Sequence, residues 1–476
     1  MARMFLRGSA RLGCRPGWRS LSSLPRVREL RTAREVVDAH ARHGHRYGPM
    51  KLSASWHTLG RLVRQPTEER VLRDTPEVLQ PLAADTELAL PRFDACAFAA
   101  TVSGLASLHV RGWRASDALW AGLATHCTRS VATMNAHDIS STVLGFAKVG
   151  RGTWLCDPAL LDAIAEEVAQ RGLRDFKPRN LANTAWAYAT AGHAAPTVFD
   201  AIAREAVNRL HEFTPQNLSN TAWAYATAGH AAPALLDAIA EEAAQRGLRD
   251  FKPQDLASTA WAFAVADHPA PALFGTDAFV QRCAAERGFG LGTLRQLHQW
   301  QLWQEERGAA WPPLPPELAQ RCRAAFCQEE GVPSRLQRDV AASLRALGLA
   351  PREEVRTPQG YSLDAVVSHG GREVAVEVDG PSHFLGRTPT GTTALKRRQL
   401  RAAGWALLPV PYWEWDALGS KAAKQEYLTV ALEELGGSLE GTAAVCSSFT
   451  HHGSAFRRSA FRIPGAGSSL EIEVTP

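Results

Sequence analysis

The residues best suited to chemistry lie late in the chain. Asp364 stands in a stretch of strand character, Tyr361 to Ser368, and Glu377-Val378-Asp379-Gly380 closes the next one, Arg372 to Val378, with His383 just beyond. Side chains alternate along a strand, so Glu377 and Asp379 share a face. Carboxylates from two neighbouring strands are what a Mg²⁺ site requires, because the ion takes oxygen ligands and leaves room for water and phosphate. Asp364 and Glu377 are therefore candidate metal ligands. Asp364, Glu377, Asp379, His383 and Lys396 form a candidate catalytic set. The helix Thr393 to Ala403 carries Lys396, Arg397, Arg398 and Arg401, which could hold a phosphate backbone. In the alternative, Asp379-Gly380 is a strand-ending turn and Glu377 pairs with a helix arginine, a structural arrangement without catalysis.

A small α/β domain over residues 335–435 would position these groups. Leu336 to Ala346 reads as an amphipathic helix, and Glu353 to Thr357 as a first strand. His369-Gly370-Gly371 turns between the next two strands, Ala406 to Val410 is a fourth, and Lys421 to Leu435 a closing helix. The runs VAVEVDGPSHF and LKRRQLRAAGWALLPVPYWEW, within Val374 to Leu428, resemble the RAP domain, named as an RNA-binding domain abundant in apicomplexans. That domain is similar in turn to the restriction-endonuclease-like fold. The resemblance implies RNA binding or processing in an organelle, and by carry-over a nuclease core of Asp364, Glu377 and Asp379 with His383 as ligand or acid/base. The restriction-like pattern places a lysine two residues after the glutamate. Here that position is Asp379, and Lys396 would have to substitute from the helix.

Upstream, the chain repeats itself. LANTAWAYATAGH (Leu181 to His193), LSNTAWAYATAGH (Leu218 to His230) and LASTAWAFAVADH (Leu256 to His268) recur every 37 to 38 residues. Weaker copies stand at Leu52 to Val63, Phe98 to His109, Ile139 to Gly150 and Leu294 to Trp303. Each unit reads as two helices, the first opening on a proline at Pro178, Pro215 or Pro253 and apolar nearly all round, with Trp186, Trp223 and Trp261 as core. The second, as in Ala234 to Arg246, is amphipathic. Such pairs bury their faces only by stacking, so residues 45–305 are expected to form an α-solenoid. One polar stripe survives on the first helices: Arg179, Asn183 and Thr190, then Gln216, Asn220 and Thr227, then Gln254 and Ser258. Amide and guanidinium groups there could read the edges of unstacked bases, or could simply be solvated. The repeats resemble octotricopeptide-type arrays and those of Fas-activated kinase-domain proteins, which again implies RNA.

The fold expected is multidomain: an α-solenoid of helix-pair repeats, then a restriction-endonuclease-like α/β domain. Residues 306–334, with WPPLPP, read as a linker, and 436–476, rich in Gly and Ser, as a disordered tail. Residues 1–32 hold eight arginines and one acid, with Arg3, Arg7, Arg11, Arg15 and Arg19 at four-residue spacing. That pattern fits an organelle transit peptide, mitochondrial with the plastid as alternative, or a basic arm touching nucleic acid. It leaves −2 for the remainder of a chain whose net charge is +5, so any nucleic-acid contact must come from local patches. The eight cysteines form no C-x-x-C pair and read as reduced thiols, and no apolar run is long enough to span a membrane. The partner expected is single-stranded or structured organellar RNA, alone or in a ribonucleoprotein, with no cofactor for binding and Mg²⁺ only for a nuclease. A protein-binding scaffold is a further alternative.

Overall fold

A computed structural model describes residues 26–150, 157–309, 311–328 and 333–437. The segment 1–25 and the tail 438–476 lie outside the described residues, so most of the transit-peptide stretch and nearly all of the tail are not addressed by it.

Seven helices lie side by side as an inner layer: α1 (Pro49–Leu62), α2 (Ala95–Val110), α3 (Ala136–Gly150), α4 (Pro178–Ala191), α5 (Pro215–Ala228), α6 (Pro253–Ala266) and α7 (Leu291–Arg307). Behind them an outer layer, including Asp117–Ser130, Pro158–Arg171, Pro196–Ala206 and Pro233–Gln245, stacks in the same order. The local sequence dictates this pairing. Pro178, Pro215 and Pro253 occupy first-turn positions where a missing N–H costs nothing. Asn180, Asn217 and Asp255 turn a side-chain oxygen back to the N–H of Lys177, Thr214 and Lys252, at 3.2, 3.2 and 3.0 Å. Gly192 and Gly229 end α4 and α5 with φ of 70° and 64°, a left-handed conformation that glycine adopts without strain.

The layers are joined by groups that recur with the repeat. Tyr188 and Tyr225 donate to the carbonyls of Leu161 and Phe199, at 2.8 and 2.6 Å. His193, His230 and His268 meet Asp162, Asp200 and Asp237 of the preceding outer helix at 2.7–2.9 Å. Small residues let the inner helices approach: a Cβ on Gly104 would lie 2.3 Å from the Trp56 carbonyl oxygen.

Two boundaries differ from those expected. Residues 26–32 belong to the folded array: Val27 is buried against α1, and Thr32 caps the helix Ala33–His43 by accepting from the Glu35 N–H at 3.1 Å. The arginine-rich composition concealed this start. Within 306–334, read as a linker, lies α8 (Pro316–Cys327), whose Leu318, Cys322 and Ala325 pack on α7 at helical spacing. Its opening proline, taken as a breaker, is a helix start.

The C-terminal domain has a four-stranded sheet in the order β1-β2-β3-β6. Antiparallel β1 (Arg352–Arg356), β2 (Ser362–His369) and β3 (Arg372–Asp379) precede a short hairpin of β4 (Phe384–Leu385) and β5 (Thr388–Pro389). The crossover helix α10 (Gly391–Ala402) then returns the chain to β6 (Ala406–Pro411), parallel to β3. The helices α9 (Arg335–Ala346), α11 (Tyr412–Asp416) and α12 (Lys421–Gly437) complete it. One sheet face packs Val367, Val374, Val376, Val378 and Leu408 on Val340, Leu344 and Leu428. The other face, with Leu363, Val366, Ala375 and Leu407, is closed by Leu400 of α10 together with Leu302 of α7 and Phe326 of α8.

This second core crosses from the repeats into the sheet. Gln299 of α7 donates to the Tyr361 hydroxyl at 3.0 Å, that hydroxyl donates to Gln399 of α10 at 2.6 Å, and Gln399 donates back to the Gln299 carbonyl at 2.8 Å, all buried. At the start of α10, a Cβ on Gly391 would stand 2.0 Å from the Ala226 carbonyl oxygen of α5. Gly391→Ala should force the C-terminal domain away from the array. The expected cost is about 1–3 kcal/mol, as for other overpacked contacts, seen as a lower thermal midpoint and new protease cleavage near α8. Unchanged midpoint and proteolysis would show that the close contact does not hold the domains together.

Candidate functional site

The strand-end carboxylates come together as the alternation of side chains requires, but each is met by a partner from the protein itself. Asp364 accepts from Gln337 Nε2 at 2.7 Å and from the Val378 N–H at 2.7 Å, so both its oxygens are engaged. Glu377, 4% exposed, pairs with Lys396 of α10. Asp379, 2% exposed, pairs with Arg397 through one oxygen and has His383 Nδ1 at 3.0 Å from the other. Helix α10 crosses this sheet face, and the adjacent Lys396 and Arg397 in its second turn supply the matching cations.

Burial, with the charges of Asp364 and Asp379, pushes the Glu377 carboxyl up to about 7 against the pull of Lys396. Burial would push Asp379 up as well, but His383 and Arg397 hold it below the usual carboxylate range. One oxygen, Glu377 Oε1, is buried without a hydrogen-bond partner.

These residues do not fit a divalent-cation site. Mg²⁺ needs oxygens free to face it alongside water, whereas Asp364, Glu377 and Asp379 face an amide, a backbone N–H, an ammonium and a guanidinium. Among the described residues no group of three or more His, Cys, Asp or Glu side chains is placed to hold a metal. The structural alternative expected an arginine beside Glu377; the partner there is Lys396, and the arginine, Arg397, pairs with Asp379 instead.

The helix expected to hold phosphate is likewise occupied. Lys396 and Arg397 are committed to the carboxylates. Arg398 turns to the repeats, donating to Glu306 at 2.7 Å, to the Val265 carbonyl at 3.2 Å and to the Ala264 carbonyl. Arg401 is exposed, and burial of its stem with neighbouring Arg397 lowers its pKa.

The family model for the RAP domain matches residues 376–429. The chain carries a RAP domain. It is 42% identical over 98 residues to a RAP domain-containing protein, chloroplastic, from Oryza sativa subsp. japonica. That match covers 20% of this chain and 15% of the relative, so the chain spans less than a fifth of that relative's length. The RAP span takes in Glu377, Asp379, His383 and all of α10, while Asp364 and the first two strands lie upstream of it.

Of the polar stripe expected on the repeats, the upstream part is open. Arg179, Gln216 and Gln254 are exposed, and Asn183 and Asn220 are half-buried. Ser258 is not available: it is 5% exposed and bonded to Gln254 at 2.8 Å and Gln296 at 3.4 Å. The tryptophans, expected as core, divide the same way. Trp261 is 4% exposed and donates to Gln299 at 2.8 Å, whereas Trp186 and Trp223 are half-buried. Trp223 stacks on both of the others, on Trp186 at 6.0 Å and on Trp261 at 6.2 Å, each at 27°. Trp186 lies roughly 160° around α4 from Tyr188, which reaches the outer layer, so the indoles point away from it. The third unit is closed by α7, whose Gln296 and Gln299 bond Ser258 and Trp261.

Sequence reasoning passed over the cations of the weak copies. Carried back by the repeat register, the position of Thr190 becomes Lys148 in α3 and Arg61 in α1, both exposed. That register was the available signal.

The titration of Glu377 has a definite sign. Its folded value near 7 lies above its ordinary 4.5, so folding takes up a proton between those values. Stability is then greatest at low pH within this window, falls as pH rises, and levels off above about 7. Urea unfolding at pH 5 and pH 8 should show the natural protein losing as much as about 3 kcal/mol relative to Glu377→Gln. Equal pH slopes in the two proteins would mean that Glu377 titrates as it does in water.

Proposed function

We propose that the protein binds single-stranded RNA along the inner face of its repeats, with the RAP domain closing one end of that face. The observation that carries this reading is the open Trp186–Trp223 stack, flanked on the same helices by Asn183 and Asn220 with no hydrogen-bond partner among the described residues. Indole faces stack unpaired bases of any sequence, and the amides can accept and donate to base edges. The repeat units are nearly identical here, so this part of the face suits general rather than base-specific capture. The RAP domain supports the same partner. The biological setting we infer is organellar RNA processing, RNA stability or ribosomal RNA maturation, alone or within a ribonucleoprotein. The arginine pattern of residues 1–32 and the chloroplastic relative favour an organelle, plastid or mitochondrion. Among the described residues no helix is long and apolar enough to cross a membrane.

The RAP carboxylates act in this reading as the internal counter-charges of α10, and no hydrolytic step is assigned to them. The test is titration of the full chain with labelled single-stranded RNA, with Mg²⁺ and with EDTA. Binding should be independent of EDTA and leave the RNA intact. Trp186→Ala and Trp223→Ala should each weaken it roughly five- to 150-fold, the equivalent of about 1–3 kcal/mol for one stacked base. Metal-dependent cleavage lost in Glu377→Ala would replace this reading with an endoribonuclease. Failure to bind RNA at all would favour a protein-binding scaffold.

A further inference from the structure

The first half of the inner face carries cations that the fold does not use. Arg28 (in the turn Val27–Glu29), His57 in α1, Arg64 just after it, Lys148 in α3 and Arg179 in α4 have no carboxylate partner among the described residues. Arg61 is held only through the Leu30 carbonyl, at 3.1 Å, which leaves its charge unneutralised. This contrasts with the arginines of the outer layer. Arg171, Arg209, Arg246 and Arg282 each pair with a glutamate on their own helix or just beyond it.

The unpaired cations form one field. Beyond burial, His57 is held below its ordinary value by Arg28, Arg61, Arg64 and His137, and Lys148 by Arg64 and Arg179. The helices that carry these cations are neighbours in the inner layer, α1 on α2, α2 on α3 and α3 on α4, and Arg61 and Lys148 are exposed at equivalent register positions. Asp94 caps α2 by accepting the Ala97 N–H at 2.8 Å, and Asp138 is 4% exposed at the start of α3. Between the cations α2 presents the small residues Ala100, Ser103 and Ser107, and α3 presents Ser141 and Leu144. Neighbouring inner helices are spaced by about 8–10 Å, so the five open helices α1–α5 offer a path on the order of 40 Å.

Like charges kept together without counter-ions destabilise a fold by mutual repulsion, and a bound polyanion relieves that repulsion. We propose that Arg61, Arg64, Lys148 and Arg179 are the phosphate seat for a single RNA strand whose bases continue onto Trp186 and Trp223. The strand ends where α10 of the RAP domain covers α6 and α7. This assignment rests on the RNA-binding reading above and deepens it by dividing the face into a backbone-holding half and a base-stacking half. A flexible polyanion without bases would satisfy the first half alone, and RNA uses both.

The experiment is the salt dependence of affinity for single-stranded RNA. The natural full-length protein is compared with the quadruple variant Arg61→Gln, Arg64→Gln, Lys148→Gln, Arg179→Gln. A control removes four exposed charges from the RAP side, Arg338→Gln, Arg345→Gln, Arg352→Gln, Lys421→Gln. Each phosphate contact contributes about 0.7 to the slope of log K against log salt for a single strand. The inner-face variant should lower that slope by roughly 2–3, with the control unchanged. Circular dichroism and the thermal midpoint confirm folding, and the inner-face variant should be no less stable than the natural chain, since it loses repulsion rather than ion pairs. An unchanged slope in a natural chain that binds RNA overturns the phosphate seat and leaves the RNA reading intact. No binding by the natural chain sinks both. Competition by polyglutamate as effective as by RNA of equal charge would overturn the division into backbone and base halves.

Discussion

Between α7 and α10, the Tyr361 hydroxyl sits in a closed ring of hydrogen bonds with Gln299 and Gln399, inside an apolar layer made by Leu302, Phe326, Leu363 and Leu400. Much else in the molecule follows from that junction. A sheet must cover both faces, and the RAP sheet covers one with its helices α9 and α12. The other is closed by its crossover helix α10 together with α7 and α8 of the array. Polar groups buried there cost free energy unless every one is paired, and the ring pairs them across the boundary. Repeats and RAP domain therefore share a core, and separating them would expose a half-covered sheet and unpaired amides together.

The junction also decides which surfaces remain for ligands. Arg398 is spent on Glu306 and the carbonyls that end α6, and Lys396 and Arg397 on the strand-end carboxylates. A helix that looks like a nucleic-acid ligand by composition thus works as a fastener. Burying ion pairs carries a desolvation penalty that their mutual attraction offsets only with good geometry, and the elevated Glu377 is the place where that penalty shows. Beneath α10, α7 hides Trp261 and Ser258, while Trp186, Trp223, Asn183 and Asn220 stay half-buried.

Periodicity carried much of the architecture. The repeat offsets, the prolines at helix starts and the alternation in β2 and β3 placed the elements within one or two residues. The helix α8 was hidden because Pro315 and Pro316 read as a break, and the folded start near Val27 because arginine dominates the local composition. The carboxylate cluster was legible as proximity but not as chemistry, since strand pattern cannot tell whether Lys396 faces a metal ligand or neutralises it. Which tryptophan of the three closes depends on Gln299 of α7, itself held by Tyr361 and Gln399 of the RAP domain. No local pattern encodes that.

The RAP domain grips the end of the array, through Leu385 beside Gly192 at the end of α4, through Gly391 on α5, and through α6, α7 and α8 beyond. The units upstream touch their neighbours through equivalent residues: Tyr188 and Tyr225 make the same bond, as do His193 and His230. One unit can therefore be copied and inserted ahead of α5 with both of its interfaces already made, and the docked end would not register the change. Length is thus an adjustable property of this architecture, in steps of one helix pair, with a fixed terminus acting as the stop against which the span is measured.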